Sequence, residues 1–309
     1  MQESLAAAVE LHQIGQLGAA ATLYQKVLTQ DQTNADALHL LGVLHHQQGD
    51  HARAVELMSR AAALQPNVPA CHANLAEAYR ALGDFERASG CCRAALRLWP
   101  YYPEAHCNLG LALRELGRHA EAADSFSRAV ALRPEFANAQ GNLGIVLRDL
   151  GKLEEALRHF RLAMELEPNS ASAQTNLGQI LLDLGKPAEA LPHCEAAVRL
   201  QPDMAELHHN LGNVLRDLDR AVEAKASYLE AIRLDPNLAP AHMQLGLMLQ
   251  REARFAEALP WLKQAAELEP DSPDYWEKLA ELHGEREDSP AAIACWERVL
   301  NLAPQSASA

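Results

Sequence analysis

Eight prolines (Pro66, Pro100, Pro134, Pro168, Pro202, Pro236, Pro270 and Pro304) stand 34 residues apart without a slip. Proline cannot continue a helix, so each one punctuates the chain at the same point of a repeated unit. Other residues keep the same step. Nine residues after each proline comes Leu75, Leu109, Leu143, Leu177, Leu211, Leu245 or Leu279, and Leu41 continues the series upstream. A small residue follows, either Gly42, Gly110, Gly144, Gly178, Gly212 and Gly246 or Ala76 and Ala280. A second glycine recurs from Gly15 to Gly185, and an alanine holds one register from Ala20 to Ala292. The ruler divides the chain into nine repeats, approximately 1–32, 33–66, 67–100, 101–134, 135–168, 169–202, 203–236, 237–270 and 271–304, with a tail at 305–309. No linker interrupts them, so the expectation is a single solenoid over 1–304.

Each unit reads as two helices. The first is expected from about four residues past the proline to just before the second glycine, which suits a left-handed C-cap. The second carries the recurring alanine, then a large residue four later (Phe126, Phe160, Tyr228, Trp296), and ends in Leu two residues before the proline. Small residues at facing slots let the two axes approach. One pair cannot bury its apolar stripe, whereas stacked pairs form a continuous core. The composition agrees: 49% hydrophobic but only 5% aromatic, dominated by Ala and Leu, which reads as all-α.

A 34-residue helix–turn–helix unit with this Leu-Gly, Ala and Pro pattern resembles the tetratricopeptide repeat family, over essentially the whole chain. The resemblance implies an α-solenoid, a right-handed superhelix whose first helices line a concave groove.

Within the first helices, the residue eight past the proline lies opposite the recurring Leu at about 100° per residue. It reads Asn74, Asn108, Asn142, Asn176, Asn210, then Gln244, and a second slot reads Glu115, Asp149, Asp183, Asp217. Asn is a mediocre helix former with no cap to make here, so its recurrence asks for a reason. Three are open: simple solvation, a bond to the neighbouring helix that stiffens the stack, or recognition of a ligand. We favour recognition. An amide both donates and accepts, so a row of amides can pair with the backbone of an extended peptide whatever its side chains. The carboxylates would favour Ser, Thr, Lys or Arg in the bound segment. The stretch "NLG…LRDLG" is similar to the superhelical arm of O-linked N-acetylglucosamine transferases. That resemblance implies backbone binding by Asn74, Asn108, Asn142, Asn176 and Asn210, with departures at Leu40, Gln244 and Lys278. Arg80, Arg114, Arg148 and Arg216 border the face and are expected to pair with acidic neighbours.

The net charge of −14 disfavours nucleic acid and anionic membranes as partners. No apolar run reaches the length of a membrane span, and the start lacks the pattern of a secretion signal. Six cysteines without a C-x-x-C pair read as reduced thiols used as small hydrophobes, which points to a cytoplasmic protein. Fourteen histidines show no metal-ligand spacing; His72, His106, His208 and His242 share one repeat slot on the packing side and are expected at helix interfaces. No phosphate-binding loop, dinucleotide fingerprint or nucleophile elbow occurs, so neither catalytic residues nor a cofactor or metal are expected. At the far end, Ile293, Trp296, Val299 and Leu300 lie on an edge that no further helix covers. Such an edge meets a partner, another copy of the chain, or a continuation beyond Ala309. The reading is a scaffold for protein partners bound as extended segments. Its alternatives are the substrate arm of a larger glycosyltransferase and a self-associating assembly module.

Overall fold

The computed structural model describes residues 2–303; Pro304 and the tail lie outside them. All regular structure among these residues is helical, and the chain divides into two compact units. The first, Met1–Leu166, contains α1 (Gln2–Gln13), α2 (Leu17–Gln30), α3 (Ala35–Gln47), α4 (His51–Leu64), α5 (Pro69–Ala81), α6 (Phe85–Leu98), α7 (Pro103–Glu115), α8 (His119–Leu132), α9 (Ala137–Asp149) and α10 (Leu153–Leu166). The second, Glu167–Ala309, contains α11 (Ala171–Asp183), α12 (Pro187–Leu200), α13 (Ala205–Asp217), α14 (Ala221–Leu234), α15 (Ala239–Arg251), α16 (Phe255–Leu268), α17 (Pro273–Glu285) and α18 (Ser289–Leu302). Odd-numbered helices are the first of each repeat and even-numbered helices the second.

From the second repeat on, the first helices begin three residues past the ruler proline or its equivalent, close to the expected position. Pro69, Pro103 and Pro273 take this first position in their helices, where the missing N–H costs nothing. Each first helix from α1 to α11 runs into a glycine at positive φ, between 69° and 83°. The N–H of the residue after the glycine then bonds back to a carbonyl five residues earlier, as Arg118 N does to Leu113 O at 2.9 Å. This closes the C-terminus of the helix. The last three repeats keep the same left-handed turn without glycine, at Asp219, Ala253 and Glu287.

The close approach inside each pair is built on the small slot. A Cβ added at Gly110, Gly144 or Gly212 would meet the ring of Phe126, Phe160 or Tyr228 at 2.8, 2.6 and 2.5 Å. Those three aromatic side chains are fully buried. The recurring alanine lies beneath them, with Ala122, Ala156 and Ala224 fully buried. Within each unit a first helix packs on its own second helix, and that second helix packs on the next first helix. Consecutive first helices also touch: α3 with α5, α5 with α7 and α7 with α9 in one unit, α11 with α13 and α15 with α17 in the other. Second helices do not approach one another as closely. The row of first helices therefore lies on the inside of each unit's curve.

Candidate functional site

The inner rows carry the amides. In the first unit Asn74, Asn108 and Asn142 project from α5, α7 and α9 and are half-buried. Each is tied to the preceding first helix: Asn74 Nδ2 lies 2.9 Å from His39 Nε2, Asn108 Nδ2 donates to Glu77 Oε1 at 2.8 Å, and Asn142 Oδ1 accepts from Arg114 Nη1 at 2.9 Å. Burial holds His39 below the usual histidine range, so its neutral ring accepts the amide proton. In the second unit Asn176, Asn210 and Gln244 are half-buried on α11, α13 and α15, and Gln244 Oε1 accepts from Arg216 Nη1 at 2.6 Å. The sequence reading treated this face as unpacked. The structure corrects that, because four amide positions already bond across to a His, Glu or Arg of the preceding first helix.

The carboxylates Glu115, Asp149, Asp183 and Asp217 lie at the C-terminal ends of the first helices and are exposed. Glu115 pairs with Arg114 at 2.9 Å and Asp217 with Arg216 at 2.8 Å, while Asp149 lies 3.8 Å from His119. Arg114 and Arg216 thus pair with acidic neighbours as expected. They also do something the sequence reading missed, since the same guanidinium holds the amide of the next first helix. The signal was present as a spacing of 28 residues between Arg114 and Asn142, repeated between Arg216 and Gln244. An amide has about four hydrogen-bonding sites, and the bonds described occupy one or two of them. The rest of each amide can serve a ligand lying on the row.

A second polar feature also escaped the sequence reading. Tyr228 Oη donates to Asn213 Oδ1 at 2.8 Å, and Asn213 Nδ2 lies 3.1 Å from His209 Nε2. Burial, with Arg216 adding to it, pushes His209 down to about 4, so the ring is neutral and accepts. The histidines of the shared slot have a different role from plain interface packing. Nε2 of His72, His106, His208 and His242 lies 2.8–3.0 Å from the carbonyl of the proline six residues before it. Gln140, Gln174 and Trp276 supply the same N–H at the same slot. Three side-chain types converge because the slot requires only an N–H of the right reach, which anchors the loop between repeats.

Among the described residues no group of three or more His, Cys, Asp or Glu is arranged to hold a metal ion. The six thiols are free, and five are buried in the helix packing. Burial raises Cys92 to about 12 and Cys107 to about 11, which keeps both protonated. At the far end, Ile293, Trp296 and Leu300 are 58%, 40% and 45% exposed, as expected of an edge. Val299 is corrected: it is only 7% exposed, because it occupies the register held by buried Ala231 and Ala265 inside earlier pairs. No helix among the described residues is long and apolar enough to cross a membrane.

Family comparisons complete the description. Profiles described as tetratricopeptide repeat match residues 74–137, 135–202, 175–239 and 239–282. The chain belongs to the tetratricopeptide repeat family. A profile described as anaphase-promoting complex, cyclosome, subunit 3 matches residues 13–95. No match is found among curated proteins. A solved chain of the APC/C hetero-tetramer Cut9–Hcn1 is similar, with a TM-score of 0.66 at 17% identity over 86% of this tetratricopeptide chain and 52% of its own. This chain therefore spans about half the length of that neighbour. PilF of Pseudomonas aeruginosa is similar with a TM-score of 0.60 at 22% identity, over 67% of this chain and 94% of its own. At these identities the likeness speaks for the fold, and membership of the repeat family carries a coarse function, a scaffold for protein–protein interaction.

Proposed function

We propose that the chain holds partner proteins as extended segments laid along the inner rows of first helices. The observation that carries the reading is the row of half-buried amides in each unit. Four of these positions are oriented by a bond to the neighbouring helix, and exposed carboxylates stand at the helix ends beside them. A side chain already held in place loses less entropy on binding than a free one. Amides in register can pair with a peptide backbone, and the carboxylates Glu115, Asp149, Asp183 and Asp217 then favour Ser, Thr, Lys or Arg beside it. The reading places the chain in the cytoplasm, where its buried thiols stay reduced.

The test begins with peptides selected from a random library on the full chain. Affinity is then measured for the wild type and for the variant with Asn108, Asn142, Asn176 and Asn210 all changed to Ala, after circular dichroism has shown it folded. Loss of about ten-fold or more, together with sensitivity to N-methylation of the peptide backbone, is expected. Peptides that bind both proteins equally would make the amides purely structural. A narrower version, drawn from the resemblance to transferase arms, treats the row as the substrate arm of an O-linked N-acetylglucosamine transferase. It expects the selected peptides to be rich in Ser and Thr.

A second reading is favoured by the exposed Ile293, Trp296 and Leu300 on α18, which make an apolar face suited to another copy of the chain or to a further protein. Sedimentation of Trp296→Glu beside the wild type tests self-association: a mass that rises with concentration only in the wild type supports it, and identical profiles refute it.

A further inference from the structure

The turn between α3 and α4 brings two imidazoles together. His46 lies in the last turn of α3 and His51 opens α4, and their Nδ1 atoms face each other at 3.1 Å. The ring centroids are 4.8 Å apart with the planes tilted by 51°, and both rings are half-buried. The turn that carries them is fixed at both ends. Gly49 takes a φ of 83° after α3, and the Asp50 carboxylate caps α4 by accepting from Arg53 N. The pair is not a consequence of the repeat. Later repeats put Arg80, Arg114, Arg148 or Arg216 in the slot of His46 and mostly apolar residues in that of His51, and no other repeat has histidine at both. Arg114 and Arg216 reach the amide of the next first helix, whereas here Asn74 turns to His39 and His46 turns to His51.

As the pair stands, one Nδ1 carries the proton that the other accepts. A metal ion would use both lone pairs at once. Two Zn–N bonds of about 2.0–2.1 Å at a tetrahedral angle set their nitrogens about 3.3 Å apart. The observed 3.1 Å is within about 0.2 Å of that bite, so a small rotation of the rings suffices. Burial, and after it His51, hold His46 below the usual histidine range, with Glu77 opposing and Arg80 adding. Its ring is therefore neutral at neutral pH, the form that binds metal.

We propose that His46 and His51 form a two-nitrogen chelate for a divalent transition ion of the imidazole-preferring kind, such as Zn²⁺. The ion takes both Nδ1 lone pairs, and the proton now shared between them moves to Nε2 of its own ring. Water completes the coordination, because no third His, Cys, Asp or Glu among the described residues joins the pair. A hard ion such as Mg²⁺ prefers oxygen and gains nothing from two imidazoles. The site uses no amide of the inner rows, so it neither depends on the peptide reading nor fails with it.

The experiment is isothermal titration calorimetry of the full chain, free of any affinity tag, with ZnCl₂ and with MgCl₂. Zn²⁺ is expected to bind and Mg²⁺ to give no heat. His46→Gln and His51→Gln should each weaken Zn²⁺ binding by about ten-fold or more, the scale on which even the supporting partners of a metal ligand are felt. His45→Gln, which alters the neighbouring ring that faces Asp50, should leave binding unchanged. Circular dichroism must show each variant folded. A second measurement needs no variant. Hydrogen exchange of the wild type should slow in α3–α4, which the ion ties together, and not in α15–α16. No heat with Zn²⁺ at millimolar concentration, undiminished binding in both His46→Gln and His51→Gln, an equal loss in His45→Gln, or exchange that slows equally in the two helix pairs would each overturn the proposal.

Discussion

The small slot of the first helices offers a sharp test of how the repeats are packed. Consider Gly144→Ala beside Gly178→Ala. Both glycines sit mid-helix, so alanine should favour each helix by about 1 kcal/mol. What differs is the side chain opposite. At Gly144 the new Cβ would stand 2.6 Å from the ring of Phe160, a rigid group with no exposed surface and nowhere to swing. Its relief requires the two helix axes to part, and overpacking of this kind costs about 1–3 kcal/mol. At Gly178 the nearest atom is Cys194 Sγ, also at 2.6 Å, but the rest of the neighbourhood lies beyond 3.5 Å and a thiol can turn away. The chain contains its own precedent. Ala76 fills the same slot, with Cys92 at the spacing of Cys194, and both are buried. Gly178→Ala should therefore be neutral or stabilising, and Gly144→Ala neutral to destabilising by about 2 kcal/mol, a separation of roughly 2 kcal/mol between them. Repeat arrays open locally, so the assay is hydrogen exchange read separately in α9–α10 and α11–α12. Equal protection changes in the two variants would refute the argument that the facing ring decides the slot.

Three further outcomes follow from the same geometry. Ala253→Gly and Glu287→Gly should each stabilise by about 0.5–1 kcal/mol in thermal unfolding, since both residues hold left-handed φ near 60°; a lower melting temperature would contradict this. On acidification the unfolded chain protonates its histidine near pH 6.5, whereas buried His209 resists until about 4, so stability should fall as pH drops between those values. The loss attributable to His209 is on the order of 3 kcal/mol. His209→Gln removes that titration, and an unchanged slope of stability against pH in the variant would refute the assignment. His106→Gln should keep the loop bond to the Pro100 carbonyl, as Gln140 does with Pro134, while His106→Leu should cost about 1 kcal/mol. Equal melting temperatures for the two variants would show that the slot needs no donor.

Much of the architecture was legible before any coordinates. Proline spacing phased the helix pairs, and glycine located the helix ends. Both are local or short-range consequences of backbone sterics, and a periodic sequence states them again in every unit. Helix starts fall within a residue of the expected position in every repeat after the first.

What the sequence by itself determined is the helical pairing and the identity of the residues on each inner row. The side-chain partners were decided only by tertiary structure. Asn74 is indistinguishable from Asn142 by position, yet one turns to His39 and the other to Arg114. Val299 looked like part of an open edge until its register placed it within the last helix pair. The physical reason is the same in each case. A repeat pattern specifies which face of a helix a residue occupies, but a hydrogen bond or a buried contact depends on the distance and tilt between neighbouring helices. Those are set by the packing of many side chains together, and no single period in the sequence encodes them.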